Sequence, residues 1–195
     1  WVGKTNGVFL CNLSSRTWRT LSYADNAKSN SINELLIARD GILWVGSSNG
    51  VRLYRDTSLI RIVREINGTA LGVVTGLAQD SKGNIWISSG ASFGGAFCGD
   101  GRTWRHYGRR EGFTDNNVHR IMPDRHGDLW FMTISPLAPG ISQEREDGAY
   151  RYDGERFTRL DQHNGLPHGR VYAMAQDSGG AYWFATLKGL ARKRG

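Results

Sequence analysis

The sequence predicts an all-β fold, a β-propeller of four-stranded blades with a repeat of about 43 residues and four and a half blades in this chain. Two repeat ladders carry the prediction. Aromatic-centred segments recur as Trp1-Val2-Gly3, Leu43-Trp44-Val45-Gly46, Ile85-Trp86-Ile87-Ser88, Leu129-Trp130-Phe131-Met132 and Tyr182-Trp183-Phe184-Ala185, with tryptophan spacings of 43, 42, 44 and 53. Arg16-Thr17-Trp18-Arg19 returns as Arg102-Thr103-Trp104-Arg105 at an offset of 86, two units of 43. The one stretched spacing marks an insertion of about ten residues in an otherwise regular array. No stretch sustains a 3.6-residue apolar period, and 33–37, which could pass for a helical turn, aligns with the extended run 118–122.

Each unit enters its tryptophan strand through Asp-x-x-Gly-x-(Leu/Ile/Tyr)-Trp, with Asp80 and Gly83, Asp124 and Gly127, Asp177 and Gly180 in the turn positions. The Asp side chain bonds the turn backbone and the glycine takes positive φ. Before Trp44 the glycine is Gly41, but Ala38 stands in the Asp place, so that turn must rely on Asp40-Gly41. A short loop and a third strand follow, as at 50–54, 148–152 and 189–191. Asp100-Gly101 and Asp153-Gly154 turn the chain into a fourth strand, over 103–107 and 156–160. The loops 111–117 and 164–169 then lead into an alternating run, 118–122 or 171–175, read as the first strand of the next blade. Strands of about 4–6 residues between such turns are all-β spacing.

On this reading the chain has eighteen strands in blades 1–27 (partial), 28–68, 69–111, 112–162 and 163–195 (partial). Closed propellers take 4–8 whole blades, so the expectation is a single segment of a longer propeller, with a closed five-bladed ring as the alternative. Trp44, Trp86, Trp130 and Trp183 are expected to pack between blades rather than to serve as a stacking platform.

Composition agrees. The 195 residues contain 26 glycines and only 4 prolines, with 11% aromatics, which suits many tight turns around a real core and excludes a disordered or collagen-like chain. The long uncharged stretch 83–99 is broken by Ser, Gly and Asn and cannot be a membrane span. The net charge of +7 is scattered, which fits a solvated surface better than a nucleic-acid interface. Cys11 and Cys98 match no metal pattern; on corresponding third strands two blades apart, they are expected to stay unlinked. His106, His119, His126, His163 and His168 lack metal-site spacing. No nucleophile elbow, P-loop or His-Glu-x-x-His is present, so no catalytic residue, metal or cofactor is expected. Asp100-Gly101-Arg102-Thr103-Trp104 falls one residue short of the Asp box of sialidase-like propellers, itself a turn motif.

Two stretches carry a resemblance. Gly112-Phe113, Asn117-Val118, Ile121, Asp124, Gly127 and Leu129-Trp130, and then Gly165-Leu166-Pro167, Val171, Asp177, Trp183, Thr186 and Gly189-Leu190, resemble two-component-regulator propeller repeats. The resemblance is strong from Gly112 onward and weaker before it, where the Gly-Leu element is missing and Ala38 replaces the Asp. It implies an extracytoplasmic or periplasmic sensor region of a bacterial hybrid histidine kinase or related regulator, non-catalytic in itself. The readings beside it are a propeller hydrolase or lyase acting on a glycan, and a protein-interaction scaffold.

The strand order implied by the family places two loop sets on one face: those entering the innermost strands and those leaving the tryptophan strands. The long insertion 134–147 belongs to the second set, and insertions in repeat proteins collect on the binding face. Ligand contacts are therefore expected from Asn116, Asn117, Gln143, Glu144, Arg145, His168 and Arg170, whose donors suit an anionic or polyhydroxyl ligand. The expected partners are a saccharide or other small polar ligand, further blades or neighbouring domains of the parent protein, and a homodimer mate. Nucleic acid and membrane contact by this segment are not expected.

Overall fold

A computed structural model describes residues 2–4, 7–12, 14–21, 31–90, 92–113, 117–134 and 148–194. The chain runs through β1 (Val2–Lys4), β2 (Gly7–Asn12) and β3 (Thr17–Leu21); β4 (Ile32–Ile37), β5 (Leu43–Ser47), β6 (Gly50–Arg55) and β7 (Ser58–Val63); and the short β8 (Glu65–Ile66) and β9 (Thr69–Ala70). It continues through β10 (Gly76–Gln79), β11 (Ile85–Ser88), β12 (Ala96–Gly99) and β13 (Trp104–Tyr107); β14 (Val118–Pro123), β15 (Leu129–Thr133), β16 (Ala149–Tyr152) and β17 (Phe157–Leu160); and β18 (Val171–Gln176), β19 (Tyr182–Thr186) and β20 (Gly189–Lys193). Among the described residues these form blade-like sheets of three, four, four, four and three strands, each an antiparallel meander in chain order. The first strands β4, β10, β14 and β18 pack side by side, which makes them the innermost.

The pair β8–β9 is an addition to the expected pattern. It falls in the connection between the second and third sheets. Asn67 and Gly68 both have positive φ, 50° and 78°. Asn-Gly with that geometry is the two-residue hairpin signal. The other connections use a short 3-10 turn instead, Arg109–Glu111 and Gln162–Asn164. All three end alike: the amides of Leu71, Phe113 and Leu166 donate back to the carbonyls of Arg64, Gly108 and Asp161. The three side chains are buried plugs at the blade junctions.

The apolar core is divided among the gaps between sheets. Val8 and Leu21 meet Leu43, Val45 and Tyr54 in the first gap, and Trp44, Val51 and Leu53 meet Leu77, Ile87 and Phe97 in the second. The third joins Trp86 to Ile121, Phe131 and Tyr150, and the fourth joins Trp130 to Val171, Met174 and Phe184. Trp44, Trp86 and Trp130 each face the following sheet. Trp44 lies edge-on to Trp104 at 6.3 Å, Trp86 meets Phe131 edge-on and Tyr152 at a tilt, both at 5.1 Å, and Trp130 meets Tyr182 at 5.0 Å and Phe184 at 5.1 Å. Trp44, Trp86 and Trp130 are buried as expected; Trp183 is half-buried, with the Arg192 guanidinium 5.5 Å above its ring.

Cys11 and Cys98 are unlinked and lie on third strands, β2 and β12. Their positions do not correspond fully. Cys11 pairs with Trp18, whereas Cys98 pairs with Arg105 and it is Gly99 that pairs with Trp104. One step of register puts the two thiols on opposite faces of their strands. Burial, ahead of nearby Asp80, pushes the Cys98 thiol up to about 12.

Candidate functional site

The expected face exists. In three of the sheets the first residue beyond the tryptophan strand bonds the residue that precedes the innermost strand. Ser48 N donates to Ser31 O at 3.0 Å, Ile134 N to Asn117 O at 3.1 Å and Leu187 N to Arg170 O at 3.1 Å. Three repeats of one bond place both loop sets at the same end of the sheets, with the root of the insertion beside Asn117. The hydroxyls that close the tryptophan strands pin the third strands there too: Ser47 donates to Gly50 O, Thr133 to Gly148 O and Thr186 to Gly189 O, at 3.0, 2.9 and 2.7 Å. Gly148 N returns a bond to Thr133 Oγ1 at 2.9 Å, so the insertion leaves and rejoins an intact ladder.

Of the residues expected to bind ligand, Asn116, Gln143, Glu144 and Arg145 lie outside the described residues, as does the insertion from 135 to 147. Asn117 is half-buried at the insertion root. His168 is 6% exposed, and its Nδ1 accepts the Arg170 amide at 3.0 Å, which shapes the loop into β18. Arg170 is half-buried, and its Nε is buried without a hydrogen-bond partner.

Sequence reasoning did not single out the residues nearest the axis. The register shifts between Ile32 and Glu34, between Val118 and Arg120, and between Val171 and Ala173. These are β-bulges, and Asn33, His119 and Tyr172 are the extra residues. Thr75 holds the same place at the head of β10, after buried Val74, with its amide bonded to Ser88 O at 3.0 Å. A bulge re-aims a side chain out of the pleat. Neighbouring sheets are bonded at this level: Asn33 Nδ2 donates to Val74 O at 3.0 Å, and His119 Nε2 lies 3.2 Å from Tyr172 O. The signal in the sequence is a buried β-branched residue followed by one that breaks the alternation, but only a partner strand reveals the extra residue.

Burial holds the His119 imidazole below its ordinary pKa. The Tyr172 and Met132 carbonyls pull the other way, and the Arg120 and Arg170 charges add to the burial. Beneath this level the innermost strands line a cavity of about 440 Å³, with Glu34 and Arg120 in its wall and Leu77, Ile121 and Met122 below them. Burial raises the Glu34 carboxyl, opposed by the Leu35 amide and by Arg120. The opposite ends of the sheets carry the Asp turns. Asp80, Asp124 and Asp177 each accept a tryptophan indole N–H, from Trp86, Trp130 and Trp183 at 3.0, 3.1 and 2.9 Å. Those carboxylates are structural.

Comparison with known proteins agrees with this architecture. A family described as "Two component regulator propeller" matches residues 70–91, 112–135 and 165–188. Histidine kinase P4 of Formosa agariphila is 23% identical over 98% of this chain and 14% of its own length. The extracellular domain of the hybrid two-component system BT3049 from B. thetaiotaomicron superposes with a TM-score of 0.80 at 20% identity, over 98% of this chain and 25% of that one. For the corresponding domain of BT4673 from the same organism the values are 0.72 and 20%, over 100% and 26%. The chain thus spans a small part of the length of these relatives. The matched segments cover the junctions and tryptophan strands of the third, fourth and fifth sheets, and they carry the likeness to two-component-regulator propellers.

Proposed function

We propose that this propeller is the non-catalytic sensing region of a bacterial receptor, held outside the cytoplasm, and that it binds a saccharide or other small polar ligand through the face that carries the insertion. The observation that carries the reading is the common end shared by the insertion root, the loop 167–170 and the bulge residues. The likeness to extracellular domains of hybrid two-component systems supports the location. Among the described residues no helix is long and apolar enough to cross a membrane. The further partners assigned are neighbouring blades or domains of the receptor and a second copy of the chain.

Deleting 136–145 tests this reading. Because Thr133 and Gly148 close the ladder beneath the insertion, the melting temperature should stay within about 2 °C of the parent, a shift of no more than about 1 kcal/mol. Binding in a saccharide thermal-shift screen should disappear. Full binding by the deletion variant, or conversion of the bound saccharide into product, would defeat the proposal.

A further inference from the structure

We propose that the bulge side chains of Asn33, Thr75, His119 and Tyr172, with Arg170 beside them, form a polar collar at the axis that takes a sugar acid. The assignment rests on the sensing reading above and gives it a site and a ligand chemistry. Four successive sheets place a residue at the same point of the innermost strand, and in three of them a bulge turns it out of the ladder. Bulges are conserved devices for aiming side chains and gather beside functional sites. The collar sits at the insertion end of the innermost strands, and the 440 Å³ cavity between β4, β10 and β14 begins at the residues that follow two of its members, Glu34 after Asn33 and Arg120 after His119.

Its polar atoms are not used up by the protein. Thr75 Oγ1 and Arg170 Nε are buried with no hydrogen-bond partner. Groups of this kind are nearly always satisfied in folded proteins, so two of them at the insertion end of the innermost strands call for an external partner. Thr75 and His119 flank Gly90, where an added Cβ would lie 3.8 Å from Thr75 Oγ1 and 3.6 Å from His119 Cβ. The glycine keeps the floor between them free of side chain.

The chemistry selects the ligand class. The Tyr172 and Met132 carbonyls hold the His119 ring in place as one wall of the collar. Thr75 can give and accept. The Arg170 guanidinium is a fork for a carboxylate. The Tyr172 side chain, 40% exposed, offers a flat apolar face to a sugar ring. Hydroxyls, one carboxylate and a ring face together describe a sugar acid.

Calorimetric titration with D-glucuronate, D-glucose and acetate, on the protein and on Thr75→Val and Arg170→Met, tests the collar. Glucuronate should bind more tightly than either partial analogue. Each substitution should weaken it about tenfold, the worth of one hydrogen bond of ordinary strength. Thr75→Val removes a hydroxyl that bonds nothing in the free protein, so its melting temperature should not fall; a fall would show that the hydroxyl serves the fold and would overturn the assignment. Absence of glucuronate binding, or equal binding of glucose, overturns it as well. Glucuronate binding kept by both substitutions but lost on deleting 136–145 would sink the collar and leave the sensing reading standing. Turnover of a saccharide by a protein whose binding both substitutions weaken would do the reverse.

Discussion

Trp44 is the buried indole whose repeat lacks its acceptor. Trp86, Trp130 and Trp183 each donate Nε1–H to the turn Asp six residues earlier, whereas Trp44 Nε1 is buried and unpartnered with Ala38 in that place. The turn itself survives the loss. Ala38 N still donates to Ile42 O at 2.9 Å, Gly41 N to Ala38 O at 2.9 Å, and Asp40 Oδ1 takes the Ile42 amide at 3.0 Å. Gly41 has the φ of +79° that the turn requires. The missing Asp and its substitute Asp40 were legible in the sequence, because turn chemistry is local. The indole bond was not, because it depends on how the turn curls back over the strand. Ala38→Asp should therefore stabilise the protein by about 1 kcal/mol, the lower end for a hydrogen bond to a charged group after desolvation. A double-mutant cycle with Trp44→Phe checks it by urea unfolding: the gain should vanish in the Phe background. Destabilisation by Ala38→Asp in both backgrounds would show that the site cannot hold the carboxylate.

Strands and their order followed from the tryptophan and turn spacings, whereas features created by pairing did not. The bulges at Asn33, His119 and Tyr172 add one residue to a strand, invisible until the partner is laid beside it. The one-residue offset of Cys11 from Cys98 is of the same kind. The Asn67-Gly68 hairpin, by contrast, has a local signal in its dipeptide. Pairing between elements also makes the fold acid-sensitive. Asp124 accepts the Trp130 indole within its own sheet and the Tyr182 hydroxyl of the next at 2.8 Å. Burial alone would raise its pKa, but those two donors and the His126 and Asp128 amides outweigh it and hold the carboxyl below the usual range. The depressed folded value means the carboxylate stabilises the fold above its unfolded pKa of about 3.9, and that this contribution is lost as pH falls through the folded value. Urea midpoints should decline from about pH 6 to about pH 3, and more shallowly for Asp124→Asn. An equal slope in the two proteins would show that the bonds to Asp124 do not distinguish charged from neutral carboxyl.

The sheets are held to one another pairwise, and two gaps share a device that a single unit does not show. Arg39, in the turn of the second sheet, reaches the turn of the third: its amide donates to Gln79 Oε1 at 2.9 Å, Nη1 to Ser81 O at 3.0 Å and Nη2 to Asp80 O at 2.9 Å. Arg125, in the fourth sheet, does the same to the fifth, with its amide on Gln176 Oε1 at 3.0 Å and Nη1 on Asp177 O at 2.9 Å. Gln79 and Gln176 each fasten their own turn through Nε2, to Gly83 O and Gly180 O. The intervening turns carry Ser81 and Ser178 in the arginine place, so the device recurs every second sheet, like the Arg-Thr-Trp-Arg segments. With the core divided among gaps, stability should be a sum of nearest-neighbour interfaces. Arg39→Met keeps the amide bond to Gln79 but loses two side-chain bonds, one exposed and one half-buried, and Arg125→Met loses one exposed bond. Each should cost about 0.5–1.5 kcal/mol. The two sites serve different gaps and share no partner, so the double variant should lose the sum to within about 0.5 kcal/mol. A loss well beyond the sum would mean that the second-to-third and fourth-to-fifth gaps communicate through the intervening sheet. A change in the urea m-value of either single variant would mean that breaking one gap lets a sheet unfold apart from the rest.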